Sequence, residues 1–253
     1  MPSPIGSAPT SLTLVLPAYN EAKRIGPALD DLMAYLRNRP ADLPVTDVLV
    51  VDDGSSDDTA ALVAARPEVV DGLLRVMTVP HAGKGAAVKA GMLAATGDLV
   101  VFADADMATP PTELVKLVVA LGSADVALGS RIQPDGTDMR ASQPRYRRLL
   151  GGVFHTLASV WVVGNVKDTQ AGFKGFTREA AHDLFARQQV TSIVFDVELI
   201  HLARRRGYRI AIVPIRWEDV RGSRMRPGPR LAVQVAWDLF RIPLLHRDVR
   251  RRP

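Results

Sequence analysis

Apolar and polar positions follow two alternating patterns in the first half of the chain. Short apolar runs predict buried strands, whereas apolar residues spaced three or four apart predict helices. Four strand–helix units arise in this way, and they predict an α/β fold with a mostly parallel central sheet flanked by helices. The predicted strands are Leu12–Leu16, Val48–Val51, Leu73–Val79, Leu99–Ala103 and Val126–Leu128, and the predicted helices are Glu21–Leu36, Asp57–Ala65 capped by Ser55 or Ser56, Ala86–Ala95 and Pro110–Leu121.

The pattern changes after Ser130. The uncharged run Leu149–Val166 reaches the lower length limit of a membrane span, but it contains glycines, a histidine and an asparagine. We therefore expect a helix that is buried or lies at an interface. The remaining elements are predicted as strands at Gly172–Phe176 and Arg209–Val213, helices at Arg178–Gln189 and Asp196–Arg206, and a last helix from near Arg230, after Pro227-Gly228-Pro229.

Composition narrows the class of protein. With 253 residues, 47% hydrophobic and 23% charged, the chain has the make-up of a soluble globular protein with a sizeable core. The absence of cysteine excludes disulfides, thiolate zinc sites and a cysteine nucleophile, and it fits a reducing compartment. The first residues lack the features of a signal peptide, so we expect a loose tail over 1–11.

The net charge of +5 is unevenly distributed. Residues 221–253 contain nine arginines and two aspartates, so this segment carries +7 and the rest of the chain −2. Such a segment suits an anionic partner. Few aromatic residues are present and the arginines alternate with apolar residues at helical spacing, which favours a membrane over nucleic acid. A core-packing helix with a solvated basic end is the alternative.

Two carboxylate-rich stretches follow predicted strands. Val51-Asp52-Asp53-Gly54-Ser55 and Asp104-Ala105-Asp106 would lie at the C-terminal edge of the sheet, where open α/β folds bind ligands. Asp104 and Asp106 can together reach one Mg²⁺ or Mn²⁺, and such a cation can hold a diphosphate. The alternative is that these aspartates only cap helices and close turns.

Two other nucleotide-binding motifs are excluded. The turn after the first strand reads Pro17-Ala18-Tyr19-Asn20-Glu21 and lacks the glycines of a Rossmann dinucleotide site. Gly83-Lys84-Gly85 lacks both the upstream glycine and the following Ser or Thr of a P-loop.

The motifs resemble those of a known family. Pro17-Ala18-Tyr19-Asn20-Glu21, Val51–Asp57, Gly83–Ala87 and Asp104-Ala105-Asp106, in this order, are similar to the donor half of family 2 glycosyltransferases with the GT-A fold. A second set resembles the dolichyl-phosphate (polyprenyl-phosphate) β-glucosyltransferases: Gly129-Ser130-Arg131, Asp168–Lys174, Phe195–Leu199, and Trp217 with Gly222-Ser223-Arg224. The resemblance covers residues 12–226, and it implies one domain with a donor half (12–130) and an acceptor half (131–226), followed by a basic amphipathic helix and tail (227–253).

The resemblance implies an inverting hexosyl transfer and a role for each donor-side residue. Asp53 or Asp52 would accept a hydrogen bond from a uracil, Glu21 would bind the ribose, and Lys84 would place a cation near the donor. Asp106, helped by Asp104, would hold Mg²⁺ or Mn²⁺ on the diphosphate. The implied nucleotide-sugar site comprises Pro17, Ala18, Tyr19, Glu21, Asp52, Asp53, Lys84, Asp104 and Ala105.

The acceptor determines whether a base is needed. A hydroxyl acceptor must lose a proton, and Asp168 or Asp196 would be the base. A lipid phosphate, with a second pKa of about 6, is already mostly a dianion and needs only positioning by cations. The resemblance implies such a phosphate site at Arg131, Gln170, Lys174, Ser223 and Arg224, and catalytic roles for Asp106, Asp168 and Asp196.

The sequence after the Asp-x-Asp triplet bears on the donor. Many polyprenyl-phosphate mannose synthases continue with Leu-Gln and a His-Pro pair, whereas Met107-Ala108-Thr109-Pro110 is closer to the glucosyl type. We therefore expect UDP-glucose as the donor. The expected acceptor is a polyprenyl phosphate. We also expect the protein to be peripheral at the cytoplasmic face of a membrane and not to bind nucleic acid. The alternatives are a GDP-mannose-using mannose synthase, a soluble enzyme with a hydroxyl acceptor, and a non-catalytic descendant.

Overall fold

A computed structural model describes residues 9–139, 162, 166 and 168–218, the backbone of 229–232, and residues 233–252. Seven strands and eight α-helices lie in these segments. The strands are β1 (Ser11–Ala18), β2 (Val45–Asp52), β3 (Leu74–Thr78), β4 (Leu99–Ala103), β5 (Val126–Ser130), β6 (Phe173–Thr177) and β7 (Ile210–Pro214). The helices are α1 (Ile25–Arg37), α2 (Thr59–Ala64), α3 (Pro67–Val70), α4 (Lys84–Ala94), α5 (Leu114–Leu121), α6 (Arg178–Arg187), α7 (Phe195–Arg206) and α8 (Pro229–Leu245), and a 3₁₀ turn (Pro111–Glu113) precedes α5.

All seven strands form one sheet in the order β3-β2-β1-β4-β6-β5-β7. Strand β6 lies antiparallel between β4 and β5, and the other pairs are parallel. The predicted α/β class with a mostly parallel sheet is therefore confirmed. Because β1, β2 and β4 run in the same direction, the loops that follow them meet at one edge of the sheet.

Alternating side chains of the strands build two cores, one on each face. Leu14 and Val101 pack on the face covered by α1 and α5, whereas Val15 and Phe102 pack on the face covered by α4, α6 and α7. On the second face the Phe102 ring contacts three other aromatic rings, those of Phe176, Phe185 and Phe195.

Most predicted elements are present, with shifted ends. Strand β2 begins at Val45, three residues before the apolar run, because it pairs with β1 along its whole length, with Ser11 opposite Val45. Strand β1 likewise starts at Ser11, inside the predicted tail, and Asp98 accepts hydrogen bonds from the backbone of Thr10 and Ser11. The short helix α3 was not predicted.

Two predicted helix starts are wrong. Helix α1 begins at Ile25 rather than Glu21, since Asn20 adopts a left-handed φ of 54° and Glu21 closes a turn onto Arg24. Helix α2 begins after Asp58 and has no side-chain cap, so neither Ser55 nor Ser56 caps it. Ser55 instead accepts the backbone N–H of Asn20 through its hydroxyl, which fixes the turn after β1.

Part of the acceptor half lies outside the described residues. This holds for most of the run Leu149–Val166 and for Pro227-Gly228, so the predictions made there are not addressed. Within the described segments, no helix is long and apolar enough to cross a bilayer.

Candidate active site

The carboxyl ends of β1, β2 and β4 bring the donor-side motifs to one edge of the sheet. Ala18, the last residue of β1, lies in register with Asp52, the last residue of β2. Strand β4 ends at Ala103, and the Asp104-Ala105-Asp106 triplet follows directly. Residues that are far apart in the sequence thus lie together at this edge. Pro17 is half-buried there, and Ala18 and Ala105 are buried.

The neighbouring aspartates at the end of β2 have different surroundings. Asp53 is almost fully buried and accepts hydrogen bonds from the backbone N–H groups of Ala82 (2.9 Å) and Gly83 (3.0 Å), while Nδ1 of His81 lies 2.9 Å from its Oδ2. Asp52 accepts only the N–H of Ser55 at Oδ2, and its buried Oδ1 has no hydrogen-bond partner among the described residues. Asp53 therefore holds the 81–83 turn, whereas Asp52 retains an acceptor for another group.

A flat aromatic surface lies beside this pair. The Tyr19 ring, which is 41% exposed, stacks on His81 with centroids 4.2 Å apart and planes 16° apart. His81 was not predicted as a site residue. Its only sequence signal was its position three residues before Lys84.

Glu21 and Arg24 form an ion pair at the same edge. Both carboxylate oxygens of Glu21 accept from the Arg24 guanidinium, at 2.7 and 2.6 Å. The third nitrogen, Nη1, is buried, makes no hydrogen bond to a described residue and lies 4.0 Å from Oδ2 of Asp106. Arg24 was not predicted as a site residue either, because it falls three residues beyond the expected start of a helix and belongs to none of the motifs.

Lys84 and the two aspartates of the triplet form the charged centre of the site. The Lys84 ammonium lies 2.5 Å from Oδ1 of Asp104. Burial alone would lower the pKa of Lys84, but the charges of Asp104, Asp196 and Asp106 raise it above its ordinary value, so the amine is protonated. Burial, and then the like charge of Asp104, raise the pKa of Asp106.

Two glycines permit this close packing. The Gly172 carbonyl accepts the N–H of Asp104 (3.0 Å), and a Cβ at Gly172 would overlap the Asp104 carboxylate. On the other side, the N–H of Gly85 donates to the Thr191 carbonyl (2.9 Å), and a Cβ at Gly85 would lie 2.8 Å from that oxygen. The Lys84 turn is thus held against the segment that leads into α7.

Lys174, expected at the acceptor phosphate, has no exposed surface. It lies in β6, and its ammonium donates to Oδ1 of Asp196 and to the Ala171 carbonyl, both at 2.6 Å. Asp196, in the first turn of α7, is also buried, and burial raises its pKa against the opposing effect of Lys174 and Lys84. As folded, Lys174 therefore anchors Asp196 and has no atom at the surface for a direct contact with a phosphate.

Arg131 and Asp168 are likewise partners of each other. The guanidinium donates to both oxygens of Asp168 (2.9 and 2.7 Å), and the backbone N–H of Arg131 donates to the same carboxylate (2.9 Å). The guanidinium also lies 5.6 Å from the ring centroid of Trp217. Gln170, also expected at the phosphate, is half-buried and lies two residues before Gly172. The other expected phosphate ligands, Ser223 and Arg224, lie outside the described residues.

The carboxylates of Asp104 and Asp106 suit one divalent cation that also binds a ligand. In the part of the chain that is described, no group of three or more His, Asp or Glu side chains forms a complete metal cage. Magnesium is commonly held by one or two carboxylates and the phosphates of a substrate. The two aspartates, drawn together so that their like charges raise the pKa of Asp106, fit that kind of site.

Comparison with known proteins agrees with this geometry. The model of glycosyl transferase family 2 matches residues 13–185. A dolichyl-phosphate beta-glucosyltransferase of Trichomonas vaginalis is 37% identical, with 98% of this chain aligned to 75% of that protein. The human dolichyl-phosphate beta-glucosyltransferase is 34% identical, with 90% of this chain aligned to 73% of its length. The chain belongs to glycosyl transferase family 2 and is a transferase.

Solved structures show the same architecture. Glucosyl-3-phosphoglycerate synthase of Mycobacterium tuberculosis in complex with UDP has a TM-score of 0.63 at 22% identity, over 93% of this chain and 80% of that one. Mannosyl-3-phosphoglycerate synthase of Rubrobacter xylanophilus also has a TM-score of 0.63, at 20% identity, over 95% of this chain and 74% of that one. These similarities confirm the GT-A fold that the motifs led us to expect.

Proposed function

We propose that the protein transfers glucose from UDP-glucose to a polyprenyl monophosphate of the dolichyl-phosphate type, with inversion at the anomeric carbon. The proposal names the donor, the acceptor and the residues, which family membership leaves open. It is supported by relatives named dolichyl-phosphate beta-glucosyltransferase that are 32–37% identical over 85–98% of this chain. Glucosyl-3-phosphoglycerate synthase, which has a similar fold, is known in complex with UDP and Mn²⁺.

One structural observation favours a phosphate acceptor over a hydroxyl. The two carboxylates expected as a base are already bound to cations: Arg131 engages both oxygens of Asp168, and Lys174 donates to Asp196. A hydroxyl acceptor needs a free base, whereas a phosphate dianion is already a nucleophile at neutral pH. A site whose candidate bases are paired with cations therefore suits an acceptor that needs no deprotonation.

On the donor side, each residue has a task that its surroundings permit. The open Oδ1 of Asp52 accepts the N–H of the uracil, and Tyr19 with His81 offers a surface on which the ring stacks. Lys84 and the Nη1 group of Arg24 face the triplet, where the diphosphate binds, and Glu21 orients Arg24. Asp53 fixes the turn that carries Lys84.

Asp104 and Asp106 would hold Mg²⁺ or Mn²⁺. When bound, the cation neutralises charge that develops on the nucleoside diphosphate as it leaves. Lys84, already protonated, adds a second positive charge at the same place. The protein residues bind the diphosphate and keep its leaving oxygen in a positive field.

We further propose that the protein works as a peripheral protein at the cytoplasmic face of a membrane, because its acceptor is a lipid. The lack of cysteine fits the reducing conditions there.

The test is transfer of labelled glucose from UDP-glucose to farnesyl phosphate by the purified protein with Mn²⁺ or Mg²⁺. We expect the label in the organic phase, with loss of transfer in EDTA and in Asp106→Ala. Asp31→Ala, at an exposed position on α1, is the matched control and should keep wild-type activity. Farnesol and 3-phosphoglycerate, offered in parallel, report on hydroxyl acceptors, and GDP-mannose reports on the other donor. Transfer only to a hydroxyl, or only from GDP-mannose, would refute the proposal.

A further inference from the structure

We infer that helix α8 carries a bilayer-docking surface formed by Val233, Trp237, Phe240 and Leu244, which we call the apolar stripe. These side chains are 71%, 59%, 50% and 56% exposed. The inference rests on the proposed function in one respect, since a lipid acceptor makes a bilayer the expected partner. Its geometric basis is independent of the active site.

The four residues lie on one side of the helix. Their spacing of four, three and four positions places them in a row along the axis. Trp237 and Phe240 contact each other, with ring centroids 6.1 Å apart. Exposed large apolar residues elsewhere, such as Val70 on α3 and Val119 on α5, are separate along the chain, whereas the stripe is continuous.

The opposite side of α8 is fixed to the protein. Leu239 and Ile242 are buried in the core. Asp238 accepts a hydrogen bond from the Ser192 hydroxyl (2.6 Å), and Nε2 of His246 lies 2.7 Å from Oε1 of the buried Glu198. These contacts determine which side of the helix faces outward, so the exposure of the stripe is a property of the fold.

Charge and side-chain type favour an anionic bilayer over a protein as the occupant. Trp and Phe are suited to the boundary between lipid head groups and chains. Residues 233–252 contain five arginines and two aspartates. Asp238 pairs with Arg241, and Arg252 pairs with Asp125 and Glu179. Arg250 and Arg251 are exposed just beyond the helix, as are Arg247 and Asp248, which pair with each other. The resulting positive surroundings attract anionic head groups.

Two hydrogen bonds and one peptide link connect the helix that carries the stripe to the candidate active site. Ser192, which binds Asp238, follows Thr191, whose carbonyl accepts the N–H of Gly85 in the Lys84 turn. Trp237 therefore adjoins the residue, Asp238, that ties α8 to the segment next to this turn. A docked stripe would hold the donor side of the cleft at a constant position relative to the bilayer, where a polyprenyl phosphate resides.

The experiment measures binding of the full chain to vesicles of phosphatidylcholine, with and without phosphatidylglycerol, by sedimentation. We expect binding that increases with the anionic lipid and weakens roughly tenfold or more in the variant Trp237→Gln/Phe240→Gln, because two aromatic side chains no longer leave water. Val119→Gln removes a similarly exposed apolar side chain on the opposite face of the sheet, and it should bind as the wild type does. Equal thermal unfolding temperatures would show that the variants are folded.

A second measurement follows tryptophan fluorescence in the wild type and two single variants. Brominated lipids should quench part of the fluorescence of the wild type. Trp237→Phe should abolish most of this quenching, and Val233→Gln should weaken vesicle binding. The inference is overturned if the wild type does not bind vesicles, if the double variant binds equally well, or if the stripe instead mediates self-association that the double variant abolishes.

Activity with farnesyl phosphate separates this inference from the proposed function. Glucosylation of farnesyl phosphate without vesicle binding would refute the docking surface and support the proposed function. Stripe-dependent vesicle binding without any glucosylation would support the docking surface and refute the proposed function. If the docking surface and the proposed function both hold, the double variant should lose turnover with a long-chain acceptor embedded in a bilayer but keep turnover with farnesyl phosphate. The ratio of the first turnover to the second should fall at least about tenfold.

Discussion

The ammonium of Lys84 lies 2.5 Å from Oδ1 of Asp104, whereas Nη1 of Arg24 lies 4.0 Å from Oδ2 of Asp106, two residues on. Lys84 thus balances one charge of the triplet. The second carboxylate is left near the like charge of Asp104 and partly out of water, and its pKa is raised for both reasons, burial first. The site is electrostatically arranged to accept a further positive charge.

We expect Asp106→Asn to stabilise the protein at neutral pH while it abolishes activity. Because the pKa of Asp106 is raised on folding, its favourable contribution exists at pH below the ordinary carboxyl value and is lost as the pH rises through the raised pKa. The neutral amide removes the repulsion, and Oδ1 can still accept the Ala108 N–H. We expect a gain of about 1 kcal/mol, or roughly 2–4 °C in Tm, at pH 7, and no gain near pH 3.

Differential scanning calorimetry across pH checks this expectation. Added UDP with Mn²⁺ should raise the Tm of the wild type but not of the variant, since only the wild type retains both carboxylates. A variant that is less stable than the wild type at pH 7 would contradict the electrostatic account of the site.

Asp52 and Asp53 should respond differently to the same substitution. Asp53→Asn places an NH₂ group against backbone donors, and we expect a loss of about 2–4 kcal/mol in stability. Asp52→Asn should leave stability within about 1 kcal/mol, because among the described residues only the Ser55 N–H donates to it. The amide oxygen of this variant would accept the Ser55 N–H, which leaves the NH₂ group facing the N–H of the uracil. We therefore expect the KM for UDP-glucose to rise roughly tenfold. Chemical denaturation and initial-rate kinetics measure the two effects, and the reverse order would contradict the assignment.

The Arg131–Asp168 pair should prove to be structural. Asp168→Asn leaves a mostly buried guanidinium without its charged partner, and we expect a loss of about 3–5 kcal/mol. Arg131→Lys should not restore full stability, because an ammonium cannot engage both carboxylate oxygens. A double-mutant cycle with Arg131→Met and Asp168→Asn should give a coupling of about 1–3 kcal/mol. A large fall in kcat at unchanged stability would instead indicate that Asp168 is a base.

Gly172→Ala should inactivate the protein without unfolding it. The added methyl group would overlap the Asp104 carboxylate and displace it from Lys84. We expect a fall in kcat/KM on the order of a hundredfold, together with a weaker response to Mn²⁺. Gly26→Ala on α1 is the matched control: a Cβ there meets no atom within 4 Å, so activity should be unchanged and stability slightly higher. Equal loss of activity in both variants would contradict the prediction.

The sequence alone brought the predicted donor-side motifs to one edge of the sheet. Apolar runs are local signals, and a polar stretch that follows a buried strand must emerge at its carboxyl end. For this reason Asp52 at the end of β2 and Asp104 after β4 could be brought to one edge without coordinates, and the motif order pointed to family 2.

The partners of the charged residues could not be read in the same way. Lys174 and Asp196 are 22 positions apart, and Arg131 and Asp168 are 37 apart. Their pairing depends on β6, which enters the sheet antiparallel between β4 and β5, and no local pattern specifies that insertion. The sequence therefore suggested two free cations and two free bases where the fold forms two ion pairs.

The C-terminal helix shows the same division. Its amphipathic composition and its basic surroundings were determined by the sequence, because residue type and helical spacing are local properties. Both a core-packing helix and a membrane-facing one were compatible with that pattern. Only tertiary contacts decided which side of α8 packs on the core and which side is exposed, since Asp238 and His246 bind Ser192 and Glu198 and so turn Trp237 and Phe240 outward.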